Sequence, residues 1–274
     1  MSKIIDLSVP IDPHYWEPDK VKVKFFDHKK GAMILSKAAP AICANNFRHR
    51  LQLIVKNLTG KGVSWRDFPQ GKGLSLMTYT ITTHTGTHID SPFHYGDKNE
   101  KGEPARTVSE IPLEWCYGNG VLLDVSNGSR DHAVTETELI GSLQRISYKI
   151  KPLDIVLIRT GGDRALGRKE YFHDFRGISL SATQWLTEQG VKVIGVDSFG
   201  FDPPFRRMFL DFYSARKPDS LWPAHFHGRR HEYCQIERLT NLDKIPTSTG
   251  FKVSCLPIKL ANADAAWCRA VAIF

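Results

Sequence analysis

Apolar runs alternate with turn signals along the whole chain, and most can be assigned an element from their period and their ends. Ile4–Val9 reads as a first strand, closed by Pro10 and Pro13, which cannot donate to a ladder. Leu74–Thr83 is rich in β-branched and aromatic residues and predicts a second strand. Val121–Val125, after Gly118 and Gly120, and Asp154–Ile158, ended by Gly161 and Gly162, are short buried strands. Thr135–Leu143 carries Glu and Leu at helical spacing, with Thr135 as N-cap. Ser179–Gln189 predicts a helix capped by Ser179 or Ser181, with Trp185 and Leu186 as its apolar contacts and Gly190 as its stop. Val191–Val196 follows as a strand, Pro203 and Pro204 break the chain, and Lys252–Ile258 and Arg269–Phe274 read as closing strands. A helix between short apolar strands implies a βαβ-type unit. The high share of strand favours a mixed α/β domain with a barrel-like or layered sheet over a doubly wound one. The segment from Lys20 to Gly73 mixes charge, glycine and single aromatics, and predicts surface loops, an oligomer arm or a lid.

The length of 274 residues fits one domain spanning 1–274. No apolar run reaches the ~18 residues of a membrane span, so no membrane partner is expected. The opening MSKIIDLSVPI meets Asp6 too early for a signal peptide, which predicts a cytoplasmic protein. The five cysteines (Cys43, Cys116, Cys234, Cys255, Cys268) form no CxxC pair and are odd in number, so buried free thiols are expected rather than a disulfide framework or a zinc finger. The net charge of +8 could serve nucleic acid or acidic ligands. The basic residues read as spread in short solvated runs without a recognition motif, so no nucleic-acid partner is expected.

One stretch stands apart: His84-Thr-Gly-Thr-His88-Ile-Asp90-Ser-Pro-Phe-His94. Imidazole and carboxylate at this density suit a divalent zinc, manganese or iron ion. On a straight strand His84 and His88 would stand ~13 Å apart, too far to share an ion. Gly86, Pro92 and the nearby threonines argue against a helix. The workable geometry is a bend at Gly86, anchored by the Thr85 and Thr87 hydroxyls, with Pro92 holding Ser91 extended so that His94 aims at the same centre. A second concentration, His225, His227 and His231, brings six of the eleven histidines into two short windows. Glu237, between the apolar Ile236 and Leu239, is a carboxylate against a hydrophobic wall that needs a cation or an arginine such as Arg238.

At residues 84–94 the chain resembles the metal-dependent cyclase-like hydrolase family, which includes bacterial kynurenine formamidases and isatin hydrolases, and matches its HxGTHxDxPxH hallmark at every specified position. IDLSVPI, DIVLIRTGG at 154–162, GISLSATQWLTEQGVKVIGVDSFGFDPP at 177–204, IERLTNLDKIP at 236–246, CLPIKL and RAVAIF also look like family segments. The resemblance implies a swivelling β/β/α fold, usually in homodimers or homotetramers. It implies His84, His88 and Asp90 as metal ligands, with Asp90 able to bridge two ions. It further implies His225 and Glu237 as later ligands and His94 as the catalytic histidine. His227 and His231 are alternatives to His225, and Gly228 and Arg229 stand where formamidases of the family usually carry two leucines.

The implied activity is hydrolysis of an amide, lactam or lactone in a small aromatic or cyclic substrate. Zinc or manganese would activate the water, and His94 would act as acid–base group. The same ligands could serve cyclisation, dehydration or isomerisation, or hold a non-catalytic binding protein together. No Gly-x-Ser-x-Gly elbow is present to suggest a serine triad. Tyr15, Trp16, Phe47, Trp65, Phe93 and Phe199 are candidate pocket walls, and Arg159 is a candidate partner for a carboxylate product.

Overall fold

The computed structural model describes residues 3–274. In chain order the elements are β1 (Ile4–Asp6), β2 (Lys22–Phe26), α1 (His28–Cys43), α2 (Phe47–Leu58), β3 (Leu76–Thr80), β4 (His88–Asp90), α3 (Pro92–Tyr95), β5 (Tyr117–Asp124), α4 (Glu136–Arg145), β6 (Ile155–Arg159), α5 (Glu170–His173), α6 (Leu180–Glu188), β7 (Val193–Val196), α7 (Phe205–Ala215), α8 (Pro223–His227), β8 (Cys234–Glu237), β9 (Phe251–Ser254), β10 (Ala265–Trp267) and β11 (Val271–Ile273). They fall into two compact units, one formed by Met1–Lys20 and Thr82–Phe274 and the other by Val21–Ile81.

The first unit is a mixed α/β fold around a nine-stranded sheet that curls into a half-barrel, in the order β1-β11-β9-β5-β6-β7-β8-β4-β10. β5, β6, β7 and β8 run parallel, and the flanking pairs are antiparallel. α4 crosses from β5 to β6 and α6 from β6 to β7, which is the βαβ pattern anticipated from the apolar runs. Alternation along each strand feeds two cores. Leu122, Leu157, Ile89, Ile236 and Val253 enter one apolar cluster, while Val121, Leu123, Val156, Ile158 and Ile194 enter the other, against Leu139, Leu143, Ala182 and Leu186 of α4 and α6. Burial on both faces explains why these strands read as continuous apolar runs. Four of the five cysteines are buried as free thiols and Cys43 is exposed.

The second unit departs from the sequence reading. Of the surface loops, oligomer arm or lid expected between Lys20 and Gly73, the loops are replaced by α1 and α2. Asp27 caps α1 through the Lys30 N–H at 2.8 Å, and Asn46 caps α2 through the His49 N–H at 2.8 Å. Gly31 and Pro40, both residues that weaken a helix interior, hide α1 from a pattern reading. The strand expected over Leu74–Thr83 shortens to β3, pairs with β2 in a separate two-stranded sheet, and is exposed throughout. Nor is the positive charge spread: Val21–Ile81 holds 11 Lys and Arg against two Asp, so the rest of the chain is near balance.

Arg176 ties the start of α4 to the sheet. Its buried guanidinium donates to both Glu138 oxygens at 2.6 Å, to the His132 carbonyl at 3.0 Å and to the Val125 carbonyl at 3.3 Å. Glu138 also accepts from the Thr135 N–H at 2.9 Å, completing a capping box. Burial opposes ionisation of Glu138, yet the hydrogen bonds from Arg176 and Thr135 hold its carboxyl below the usual range. A lowered carboxyl contributes stability that is present above the ordinary Glu value of ~4.3 and is lost as pH falls through the folded value. Arg176→Leu should therefore lower the unfolding free energy by about 2–4 kcal/mol in urea denaturation at neutral pH, with a smaller loss on acidification than the unaltered protein shows.

Candidate metal centre

The bend at 82–88 has a local cause. The Thr85 N–H donates to the Thr82 carbonyl at 3.2 Å, and the Thr82 N–H donates back to the Thr85 hydroxyl at 3.1 Å. Gly86 takes φ +74, in the left-handed region, where a Cβ would also meet Ile11 at 2.9 Å. The Thr87 hydroxyl donates to the Arg238 carbonyl at 2.6 Å and accepts from the Val9 N–H at 2.8 Å, pinning the turn to two other segments. Past the bend, β4 sends His88 and Asp90 to one face and Ile89 into the core. Ser91 is extended, at φ −89 and ψ 163, and Pro92 opens α3, which carries His94.

β8 lies beside β4 in a register that sets Glu237 opposite His88 and Ile236 opposite Ile89. His225 arrives from α8, whose first turn is held by the buried Asp202. That carboxylate accepts from the Ala224 N–H at 2.9 Å, the His225 N–H at 3.0 Å and the His225 ring Nδ1 at 2.6 Å. The ring's Nε2 is left 3.9 Å from Glu237 Oε1. His227 is turned elsewhere, with Nε2 2.9 Å from the Thr187 hydroxyl and its ring stacked on His231. Of the three histidines of the second window, His225 is the one that faces the cluster.

His84 Nδ1 stands 3.1 Å and His88 Nε2 3.4 Å from Asp90 Oδ1, and His88 Nε2 is 3.6 Å from Glu237 Oε2. The potential ligand atoms of His84, His88 and Asp90 all lie within 4.8 Å of one another, as do those of Asp90, His94 and His225. One side chain absent from the sequence reading joins them: Asp264, 2.9 Å from His84 Nε2 and 3.3 Å from His94 Nδ1. No motif flags it, because it sits in an ordinary ANADAAW stretch and reaches the cluster only through the pairing of β10 with β4.

These residues fit a divalent cation. His88 Nε2 and both carboxylate oxygens of Asp90 are buried and without a hydrogen-bond partner among the described residues. Orphaned buried polar atoms of this kind are costly unless something ligates them. Burial, helped by the positive charges of His84 and Arg238 and opposed by Asp90, pushes His88 down to about 4, so it stays a neutral imidazole with a free lone pair. Burial, then the Asp90 charge, pushes Glu237 up to about 7. Burial opposes charge on His84, but Asp90 and Asp264 overcome it and lift the ring to about 11. The excess of carboxylate at this point draws in positive charge.

A cavity of about 190 Å³ opens beside the cluster, lined by His84, His94, His225 and Glu237 on one side and by Phe199, Phe201, Phe205, Met208 and Trp222 on the other. Of the six aromatic residues considered as walls, Phe199 lines it. Trp16 packs on Phe172, and Phe47 and Trp65 belong to the second unit. Arg159 is not at the cavity: it is paired with Asp124 at 2.6 Å.

The Cyclase family model matches residues 5–203. The kynurenine formamidase of Erythrobacter litoralis is 25% identical over 208 residues, covering 76% of this chain and 81% of its own. That of Bacillus cereus (strain ATCC 14579) is 28% identical over 210 residues, covering 76% and 84%. Among solved structures, an isatin hydrolase bound to the product analogue thioisatinate superposes with a TM-score of 0.69 at 18% identity, covering 100% of this chain and 92% of that one. Isatin hydrolase A from Ralstonia solanacearum gives 0.68 at 20% identity, covering 99% and 92%. The structural likenesses establish the fold, and the family match spans well over half of the sequence. The chain belongs to the Cyclase family, the cyclase-like hydrolases that its 84–94 motif resembles.

Proposed function

We propose that this protein is a metal-dependent hydrolase that cleaves an amide, lactam or lactone bond in a small aromatic or cyclic substrate. His84, His88, Asp90, His225 and Glu237 hold the divalent ion, zinc or manganese, and His94 is the acid–base group. The observation that carries this reading is the set of buried, unpartnered donor atoms on His88 and Asp90 beside an open cavity. A bound divalent ion supplies an acidified water and a Lewis acid for the scissile carbonyl. The rest is done by the chain. His94 is about one-third exposed and faces the cavity, so it can take a proton from water and return it to the leaving nitrogen or oxygen. Phe199, Phe205 and Trp222 offer faces and edges to a flat ring. The cavity lies below the ~300 Å³ at which drug-sized sites begin, which favours a small substrate. The names of the relatives point the same way, to a formamide on an aromatic amine or to a lactam such as isatin.

We also propose a homodimer or homotetramer. Phe47, Leu51, Ile54 and Leu58 form a stripe along α2 at 4-3-4 spacing, all exposed, and no residue of α2 is buried. A contiguous apolar stripe of this kind marks an interaction surface.

Three outcomes are expected. His94→Ala should keep its metal by elemental analysis while turnover of N-formyl anilines, isatin or lactones falls by about 10²–10⁴-fold; unchanged turnover refutes the acid–base role. Asp90→Ala, checked for folding by circular dichroism, should lose the metal, and stoichiometric metal in that variant would remove Asp90 from the ligand set. Leu51→Glu with Ile54→Glu should lower the mass seen by light scattering to that of one chain, and a wild-type protein already at that mass would defeat the oligomer reading.

A further inference from the structure

Asp264 is held at both its carbonyl and its carboxylate, and its constraint comes from the sheet. It immediately precedes β10, whose register sets Ala265 opposite Asp90. Its carbonyl accepts from the Ser91 N–H at 2.9 Å and from the Ser91 hydroxyl at 2.8 Å, so its backbone is clamped to the residue that follows Asp90. Its Oδ1 accepts from the Ala265 N–H at 2.9 Å and the Thr83 hydroxyl at 3.1 Å. With one oxygen tied down, the other has a single direction, toward His84 Nε2 at 2.9 Å and His94 Nδ1 at 3.3 Å.

We propose that Asp264 is a positioning residue that sets the tautomer and orientation of two imidazoles at once, one that ligates and one that transfers protons. An ionised carboxylate only accepts hydrogen bonds, so each ring nitrogen facing it carries the hydrogen. On His84 this keeps the hydrogen on Nε2, so that a bound ion would displace the hydrogen from Nδ1, which is directed at the cluster of His88 and Asp90, 3.1 Å from Asp90 Oδ1. On His94 it places the hydrogen on Nδ1 and leaves Nε2 as the atom that accepts a proton. When His94 is protonated, both nitrogens are donors, and Asp264 stabilises the imidazolium without taking the proton. The ligand and the base therefore share one support, which keeps the two rings, 4.4 Å apart between centroids, in a fixed relation. Nothing in the 84–94 motif supplies this restraint, because it crosses from β4 to β10.

The inference rests on the roles given above to His84 and His94, and its test reads each ring separately. Long-range proton–nitrogen NMR on ¹⁵N-labelled, zinc-loaded protein reports imidazole tautomers, with His84→Ala and His94→Ala spectra as assignments. In the unaltered protein His94 should be in the Nδ1–H form and His84 should carry its hydrogen on Nε2. In Asp264→Ala, His94 should move toward the Nε2–H form. Zinc affinity by chelator competition should fall by about 10–100-fold, and kcat on isatin or an N-formyl aniline should fall further than KM rises. Asp264→Asn, which can still accept one hydrogen bond, should be intermediate, and it replaces the alanine variant if that variant fails to fold. Unchanged tautomers and zinc affinity in a folded variant overturn the proposal. So does stoichiometric loss of an ion from Asp264→Asn, which would make Asp264 a ligand. If His94→Ala keeps full turnover, the acid–base reading fails, while the tautomer and affinity measurements still decide the place of Asp264.

Discussion

Three carboxylates, Asp90, Glu237 and Asp264, converge on the same few ångströms as four imidazoles, and two of the three are buried. Removing such groups from water is expensive unless opposite charge or hydrogen bonds compensate. The surroundings of the cluster answer that cost. β4 is flanked by β8 and β10, so the two strands that stabilise it through the ladder also deliver Glu237 and Asp264 to it. Ile89 and Ile236, the residues between the site residues on β4 and β8, are fully buried in the core, so a slip of one position would turn them to the site face and drive His88, Asp90 and Glu237 into the apolar cluster. The register of the sheet and the composition of the site are one constraint.

The second tier of contacts gives the cluster its rigidity. Asp202 holds His225 by backbone and ring together, which fixes the tautomer and directs Nε2 at Glu237. The Phe201 N–H donates to Glu237 Oε1 at 2.7 Å. Arg238, at φ 64, bends the chain just past Glu237, donates to the His84 carbonyl at 3.1 Å, pairs with Glu17 and lies over the Phe199 ring at 4.7 Å. These polar supports come from segments distant in sequence, so the site forms only when the sheet has closed. The aromatic wall of the cavity is attached to the same frame through Phe199 and Phe201, and this gives the cavity lining the same fixed relation to the cluster.

Much of this is legible in the sequence. Residues 84–94 state their own geometry, because two histidines four apart, a glycine at the centre and a proline beyond leave a bend as the arrangement that lets them meet. The central strands and their helices declared themselves through buried apolar runs and through the caps at Thr135 and Ser179. α1 and α2 did not. A proline and a glycine inside α1, and an apolar stripe on α2 with no core of its own to face, resemble irregular chain when only composition is read.

The local chain by itself therefore determined the donor types, the turn that gathers His84, His88 and Asp90, and the βαβ frame, since each depends on residues within a few positions of one another. Only the tertiary structure decided that His225, and not His227 or His231, faces the cluster, that Glu237 stands opposite His88, and that Asp264 joins His84 to His94. The physical reason is that strand pairing and helix docking set those contacts across tens to hundreds of residues, and a carboxylate in an unremarkable stretch carries no local sign of the imidazole it will meet.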